Sequence, residues 1–163
     1  MAIYLKFGDL KGESLAEGHK GTDGWMEINS CQMGAGRGIS TPVGGSSKRE
    51  ASAPSISEIV VTRLLDSVST RLFSECVGGV GVDATIEFVT TNSDKLETYL
   101  TVKLTNTMIS GYSFSSGGDR PSESISLNFT KIDITYQGYD DKGKVDTTKK
   151  GSAIYDLTAA KRG

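Results

Sequence analysis

His19 is the only histidine in a chain of 163 residues. Any nucleophile–imidazole or imidazole–metal chemistry would therefore have to pass through it. It lies in the polar, glycine-flanked segment Gly18–His19–Lys20–Gly21, and no GxSxG nucleophile elbow accompanies it. The expectation is an exposed loop histidine with no catalytic part. Cys31 and Cys76 stand far apart, outside any CxxC pair. Redox and zinc motifs are thereby disfavoured, and both residues are expected as free thiols. Gly34–Ala35–Gly36–Arg37–Gly38 has some of the glycine spacing of a phosphate loop. It does not open a helix inside a βαβ unit, however, and the chain has no GxxxxGK[ST]. Asp140 and Asp141, followed by Lys142 and Gly143, do not fit a calcium loop, and nothing singles out two carboxylates as a glycosidase pair. No enzyme activity, metal or cofactor is expected.

The elements that would position these residues read mainly as strands. Ile3, Leu5 and Phe7 alternate with Tyr4 and Lys6, the period of a half-buried strand. A turn follows at Gly8–Asp9, then a polar loop over 13–24 and a second strand opening at Trp25. Residues 34–55 are rich in Gly and Ser with little large and apolar, and are too long for an ordinary connection. Such a segment cannot bury enough to hold itself in place, so it reads as a contact loop ordered by a partner. Residues 56–65 read as a strand. Asp66, Ser67 or Ser69 can then cap a short helix with Val68, Leu72, Phe73, Cys76 and Val77 on its apolar face, and Gly78–Gly79 stops it. Further strands are expected around 84–88, 100–104 and 108–114. Asn92–Ser93–Asp94 is a turn between them, and Asn106–Thr107 is a turn or a bulge.

The stretch 120–136, RPSESISLNFTKIDITY, alternates cleanly but changes parity. Ile125, Leu127 and Phe129 share one side; after Thr130, Ile132, Ile134 and Tyr136 take over. One extra residue is needed, and a β-bulge near Thr130–Lys131 is expected to supply it. The tail from Asp140 is polar apart from Ile154, Tyr155 and Leu157, which suggest a last edge strand. The sum is seven or eight strands and one short helix, an all-β sandwich or barrel with the helix covering an opening.

Composition narrows the function further. The length fits one domain, residues 1–163, able to bury a core without staples. Net charge is −2, which argues against a nucleic-acid binder and gives no support for binding anionic membranes. The opening MAIYLKFGD lacks the basic and long apolar runs of a cleaved signal, and no stretch approaches a membrane span. Open strand edges and a long polar loop suit a subunit that repeats, since sheet edges are either protected or used for assembly.

Several segments resemble one known family. IYLKFGDLKGES at 3–14 and GHKGTDGWMEI at 18–28 are similar to the opening of the haemolysin-coregulated protein (Hcp) family of type VI secretion. GISTPVGG at 38–45 resembles that family's extended loop, EIVVTRLLDSVSTRLFSECV at 58–77 its strand-then-helix, and GGDRPSESISLNFTKIDITY at 117–136 its most specific segment. The likeness runs in order over about 3–137. It implies a β-barrel of two antiparallel sheets with one short helix at its side. It also implies homo-hexameric rings stacking into the inner tube of the secretion apparatus, with the contractile sheath, a spike protein and small effectors as partners. The protein would begin in the cytoplasm and leave the cell without a cleaved signal, carrying effectors in the ring lumen. The extended loop would reach a neighbouring ring through Arg37, Lys48, Arg49 and Glu50, and Gln32, within Asn29–Met33, would contact cargo. The competing reading is a small ligand-binding β-barrel, which predicts a monomer with an apolar pocket; the scarcity of aromatics speaks against it.

Overall fold

The computed structural model describes residues 1–44 and 49–163. In chain order, β1 (Ala2–Phe7), β2 (Trp25–Ile28) and β3 (Ser30–Gln32) come first. Four two-residue strands follow: β4 (Ala35–Gly36), β5 (Ile39–Ser40), β6 (Glu50–Ala51) and β7 (Ser55–Ile56). Next come β8 (Ile59–Leu64), the helix α1 (Ser69–Gly78), β9 (Val82–Asn92) and β10 (Lys95–Ser115). The chain closes with β11 (Ser122–Asn128), β12 (Lys131–Tyr139), β13 (Val145–Asp156) and β14 (Lys161–Arg162). The fold is all-β with one short helix, as the sequence predicts.

Two antiparallel sheets share chain segments. In the first the order is β2-β1-β9-β10-β12-β13-β14; in the second it is β10-β11-β8-β3. The 21-residue β10 belongs to both. Its first part pairs with β12 through Thr105 and with β9 through Thr107, and from Met108 onward it pairs with β11. The bend falls at Asn106, whose φ is +50°. The register against β9 shifts between Leu104 and Thr107, so Asn106–Thr107 is a bulge and not a turn. The second corner is Asn29. It separates β2 in the first sheet from β3 in the second, and its N–H donates to the Thr62 carbonyl at 2.8 Å.

The parity change at 129–131 has a different origin from the expected bulge. β11 ends at Asn128 and β12 begins at Lys131, so these are two strands in two sheets. Phe129 turns inward and is buried, while the Thr130 N–H donates to the Thr105 carbonyl at 3.1 Å, pinning the crossing to β10. A strand that leaves one sheet for another is released from the period of two just as a bulged one is.

Leu5, Met26, Val61, Leu72, Ile86, Ile125 and Leu127 are fully buried between the sheets. Burial of each such side chain contributes about 1.5–3 kcal/mol. In the second sheet the inward parity of β8 and β11 is fixed by Val61, Ile125 and Leu127, because a one-residue slip would turn them to solvent.

The helix starts by a reciprocal cap. The Val68 N–H donates to Asp66 Oδ1 at 3.0 Å, and the Asp66 N–H donates to Ser69 Oγ at 2.9 Å. Only part of the expected apolar face is covered: Val68 and Leu72 are buried and Cys76 half-buried, but Phe73 is 54% and Val77 70% exposed. The helix touches the barrel along a narrow line beside β10, too narrow to cover the whole stripe. The tail is also more regular than its composition suggests. β13 runs antiparallel to β12 over most of its length, with a register irregularity at Gln137–Gly138.

His19 is not the exposed residue its polar segment predicts. It is 6% exposed, stacked on Tyr4 with ring centroids 4.5 Å apart and set edge-on to Trp25 at 4.7 Å. Its Nε2 lies 2.5 Å from Glu87 Oε2. Glycines bring the loop down: the Gly12 N–H donates to the Gly21 carbonyl and the Gly21 N–H to the Ser14 carbonyl. A Cβ on Gly21 would lie 2.0 Å from the Gly12 oxygen. The loop is therefore laid flat over β1, with His19 as its plug.

Candidate assembly surfaces

The segment 34–55, expected to lack means of holding itself, forms an arm. β4 pairs with β7, and β5 with β6. Serine hydroxyls reinforce the rungs: the Gly34 N–H donates to Ser57 Oγ at 2.7 Å and the Gly38 N–H to Ser52 Oγ at 2.9 Å. Backbone hydrogen bonds substitute for burial, which is why composition alone misjudged it. From 34 to 44 and 49 to 55 the residues are exposed.

Of the four charged residues assigned to the arm, the three described do not form one group. Arg49 and Glu50 stand on its outer part, Glu50 opposite Ser40. Arg37 lies between the two ladders and lines an apolar groove of about 630 Å³ at the arm's root, with Ile56, Ile134, Tyr155 and Arg162. Lys48 falls outside the described residues. Among the described residues, Arg37, Arg49 and Glu50 form no ion pair within the chain.

Gln32 ends β3 opposite Val60 and is exposed. It belongs to a surface that the sequence reading did not assemble. On the outer face of the second sheet, Ser30 and Gln32 continue through Val60 and Thr62 to Ser122, Ser124 and Ser126, and on to Gly111, Ser113 and Ser115. Leu64, 48% exposed, stands on the same face opposite Ser122; the face is uncharged and mostly of small hydroxyl side chains, and the Ser30 and Thr62 hydroxyls meet at 2.5 Å. The alternation of Ser124 and Ser126 with Ile125 and Leu127 was the visible signal; strand pairing was needed to extend it.

Cys31 points the other way, half-buried against the core. Burial pushes its thiol up to about 11, so the nucleophilic thiolate is scarce at neutral pH. We expect Cys31 to react with iodoacetamide at pH 8 far more slowly than a free thiol in solution. A rate matching that of glutathione, measured by mass spectrometry of the native protein, would show that the site opens readily.

At the helix end of the same sheet a polar cluster is buried. Arg63 contacts Asp66 and Glu123, Ser69 Oγ donates to Glu123 Oε1 at 3.0 Å, and Tyr112 Oη donates to Glu123 Oε2 at 2.6 Å. Burial works to lower the guanidinium pKa, and hydrogen bonding and charge from Asp66 and Glu123 reverse that. Burial, with Glu123 next, pushes the Tyr112 phenol up to about 12. This cluster ties β8, β10, β11 and α1 together.

The chain thus combines a two-sheet all-β body with an exposed arm and an uncharged sheet face. The sequence model described as "Type VI secretion system effector, Hcp" matches residues 4–136, and the chain belongs to that family. A solved chain described as a type six secretion system protein is 28% identical, with a TM-score of 0.87 over 99% of each chain. Hcp1 from Salmonella typhimurium is 22% identical, with a TM-score of 0.74 over 99% of this chain and 98% of the other. Hcp1 from the E. coli EAEC 042 pathovar, solved as a double mutant, is 17% identical, with a TM-score of 0.71 over 96% and 99%. The last two share the fold. No curated protein sequence matches the chain.

Proposed function

We propose that this chain is a structural subunit of the type VI secretion inner tube. It forms homo-hexameric rings that stack, are loaded within the contractile sheath behind a spike protein, and are expelled carrying small effectors. In this reading residues 1–163 form one barrel domain, the arm 34–55 bridges rings, and the segment 140–163 completes the wall as β13 and β14. Among family members EvpC of Edwardsiella is a close relative. Export uses the apparatus, with no nucleic acid as a partner and no direct membrane insertion.

The observation that supports this most is the conjunction of the arm with the uncharged face on one scaffold. A tube needs contacts between rings and a lumen to which passing cargo does not adhere strongly. Small hydroxyl side chains give up little on contact and offer no charge to trap a partner. The space between the sheets is filled by core side chains, which disfavours a ligand-binding barrel. Light scattering after size exclusion tests the proposal. A mass near six subunits, or a pair of such rings, is expected; a monomer at every concentration would refute it.

Two variants separate the surfaces. Lys48→Glu with Arg49→Glu should shorten tubes seen by electron microscopy and leave ring mass unchanged. Each exposed pair is worth only about 0–1 kcal/mol, but the ring repeats it. Loss of the rings themselves would show that the arm belongs to the ring interface. Gln32→Trp should abolish effector retention in a pull-down while the ring is still secreted. Unaltered retention would place cargo on another face.

A further inference from the structure

The groove of about 630 Å³ at the root of the arm has a floor set by strand register. Ile132 stands opposite Tyr155, and Tyr155 opposite Arg162, so the three share one face across β12, β13 and β14. Ile134 and Ala153, two residues further along, form the next row of that face. Ile56 of β7 and Arg37, between the two ladders of the arm, line the opposite side. The groove therefore lies between the arm and the edge of the first sheet, outside the filled space between the sheets.

Apart from the two arginines and the Tyr155 hydroxyl, every lining side chain is apolar, and none is acidic. The neighbouring carboxylate faces elsewhere. Lys131, Asp156 and Lys161 form the alternate row, on the other side of the sheet, and Asp156 Oδ1 accepts from the Thr158 and Ala159 N–H groups. Among the described residues neither Arg37 nor Arg162 forms an ion pair. Two like charges thus border one apolar slot without a counter-ion from the chain. A carboxylate matches the paired N–H donors of a guanidinium, and the volume is that of a small-molecule site. The rest of the ligand must be hydrocarbon. A peptide would bring backbone N–H and C=O groups that this lining cannot satisfy, and such groups are costly to bury. An aliphatic chain brings none.

We propose that this groove binds an aliphatic monocarboxylate of medium chain length, its carboxylate held by Arg37 and Arg162 and its chain laid over Ile56, Ile134 and Ala153. The inference goes beyond the tube reading and does not rest on it. Because Arg37 belongs to the arm and Arg162 to β14, the ligand bridges the two.

Isothermal titration calorimetry of the full chain with sodium decanoate, kept below its micelle concentration, tests it. Saturable binding at a single site per chain is expected. Decyltrimethylammonium, with the same tail and the opposite charge, should give no saturable heat, and neither should acetate, which has the head and no tail. Arg37→Gln with Arg162→Gln should weaken decanoate binding about tenfold, since two exposed ion pairs are lost. Ala153→Trp, which fills the groove from an exposed position, should abolish it. No saturable binding of decanoate, or equal binding of decyltrimethylammonium or of acetate, would overturn the proposal. So would an unchanged affinity in the double arginine variant. Light scattering with saturating decanoate covers the other occupant: a fall in particle mass on binding would show that a second copy already fills the groove, and the free site would be wrong. Circular dichroism checks the fold of each variant, and the comparison of the three ligands on the wild type decides the matter where a variant fails to fold.

Discussion

Replacing Glu123 by Ala should destabilise the protein by about 3–5 kcal/mol, because it strips a partner from a buried arginine. For a chain of this size that corresponds to a fall in Tm of about 6–20 °C. Glu123 is 1% exposed and receives Arg63, Ser69 and Tyr112 at once. Without it the guanidinium keeps Asp66 as its only charged partner, beside a long bond to Ser69 Oγ, and the Tyr112 hydroxyl and Ser69 lose their acceptor. The cost is that of a stranded charge and not the worth of the pair. Arg63→Met with Glu123→Leu, which removes both members, should therefore cost far less than Glu123→Ala alone. Differential scanning calorimetry of the three proteins decides the matter. A loss below about 1 kcal/mol for Glu123→Ala would mean that water reaches Arg63 and the cluster is not dry.

The second large effect is expected at Leu72, whose side chain is fully buried and is the deepest anchor of α1. Leu72→Ala should cost about 2–5 kcal/mol, the range for emptying a packed leucine site. A ten-residue helix is marginal without tertiary contacts. Hydrogen exchange should accordingly show the amides of 72–78 losing protection well before those of β9 or β10. Phe73→Ala is the natural control: its ring is half exposed and rests edge-on against Tyr112 at 5.9 Å, so its loss should be small. Uniform loss of protection across helix and sheets would show that α1 and the barrel unfold as one unit.

The strands were legible because alternation is a local signal. β1, β11 and β12 each show it within six residues, and the sheet registers follow from keeping Leu5, Ile125 and Ile132 inward. What was not legible depended on residues distant in sequence. His19 reads as polar loop until Gly12 and Gly21 are seen to hold the loop against Tyr4 and Trp25. The arm looked unable to order itself because its stabilising partners, Ser52 and Ser57, lie more than ten residues from the glycines they bind. The helix stripe was read correctly as apolar, but periodicity cannot say how wide a contact the barrel offers, and Phe73 and Val77 were left in solvent. Gln32 enters the sequence reading only through the resemblance, as a cargo contact. The surface around it emerges only when Ser113, Ser124 and Thr62 are brought side by side.

β10 crosses from one sheet to the other without a break at Asn106. A load on the first sheet therefore passes to the second along covalent bonds, which do not yield at the forces that shear hydrogen-bonded strands apart. The long strand acts as a tendon sewn through both walls of the body. In the tube proposed above, deformation would begin elsewhere, at the arm with its two short ladders, and the walls would keep their cross-section after the joints between units had given way.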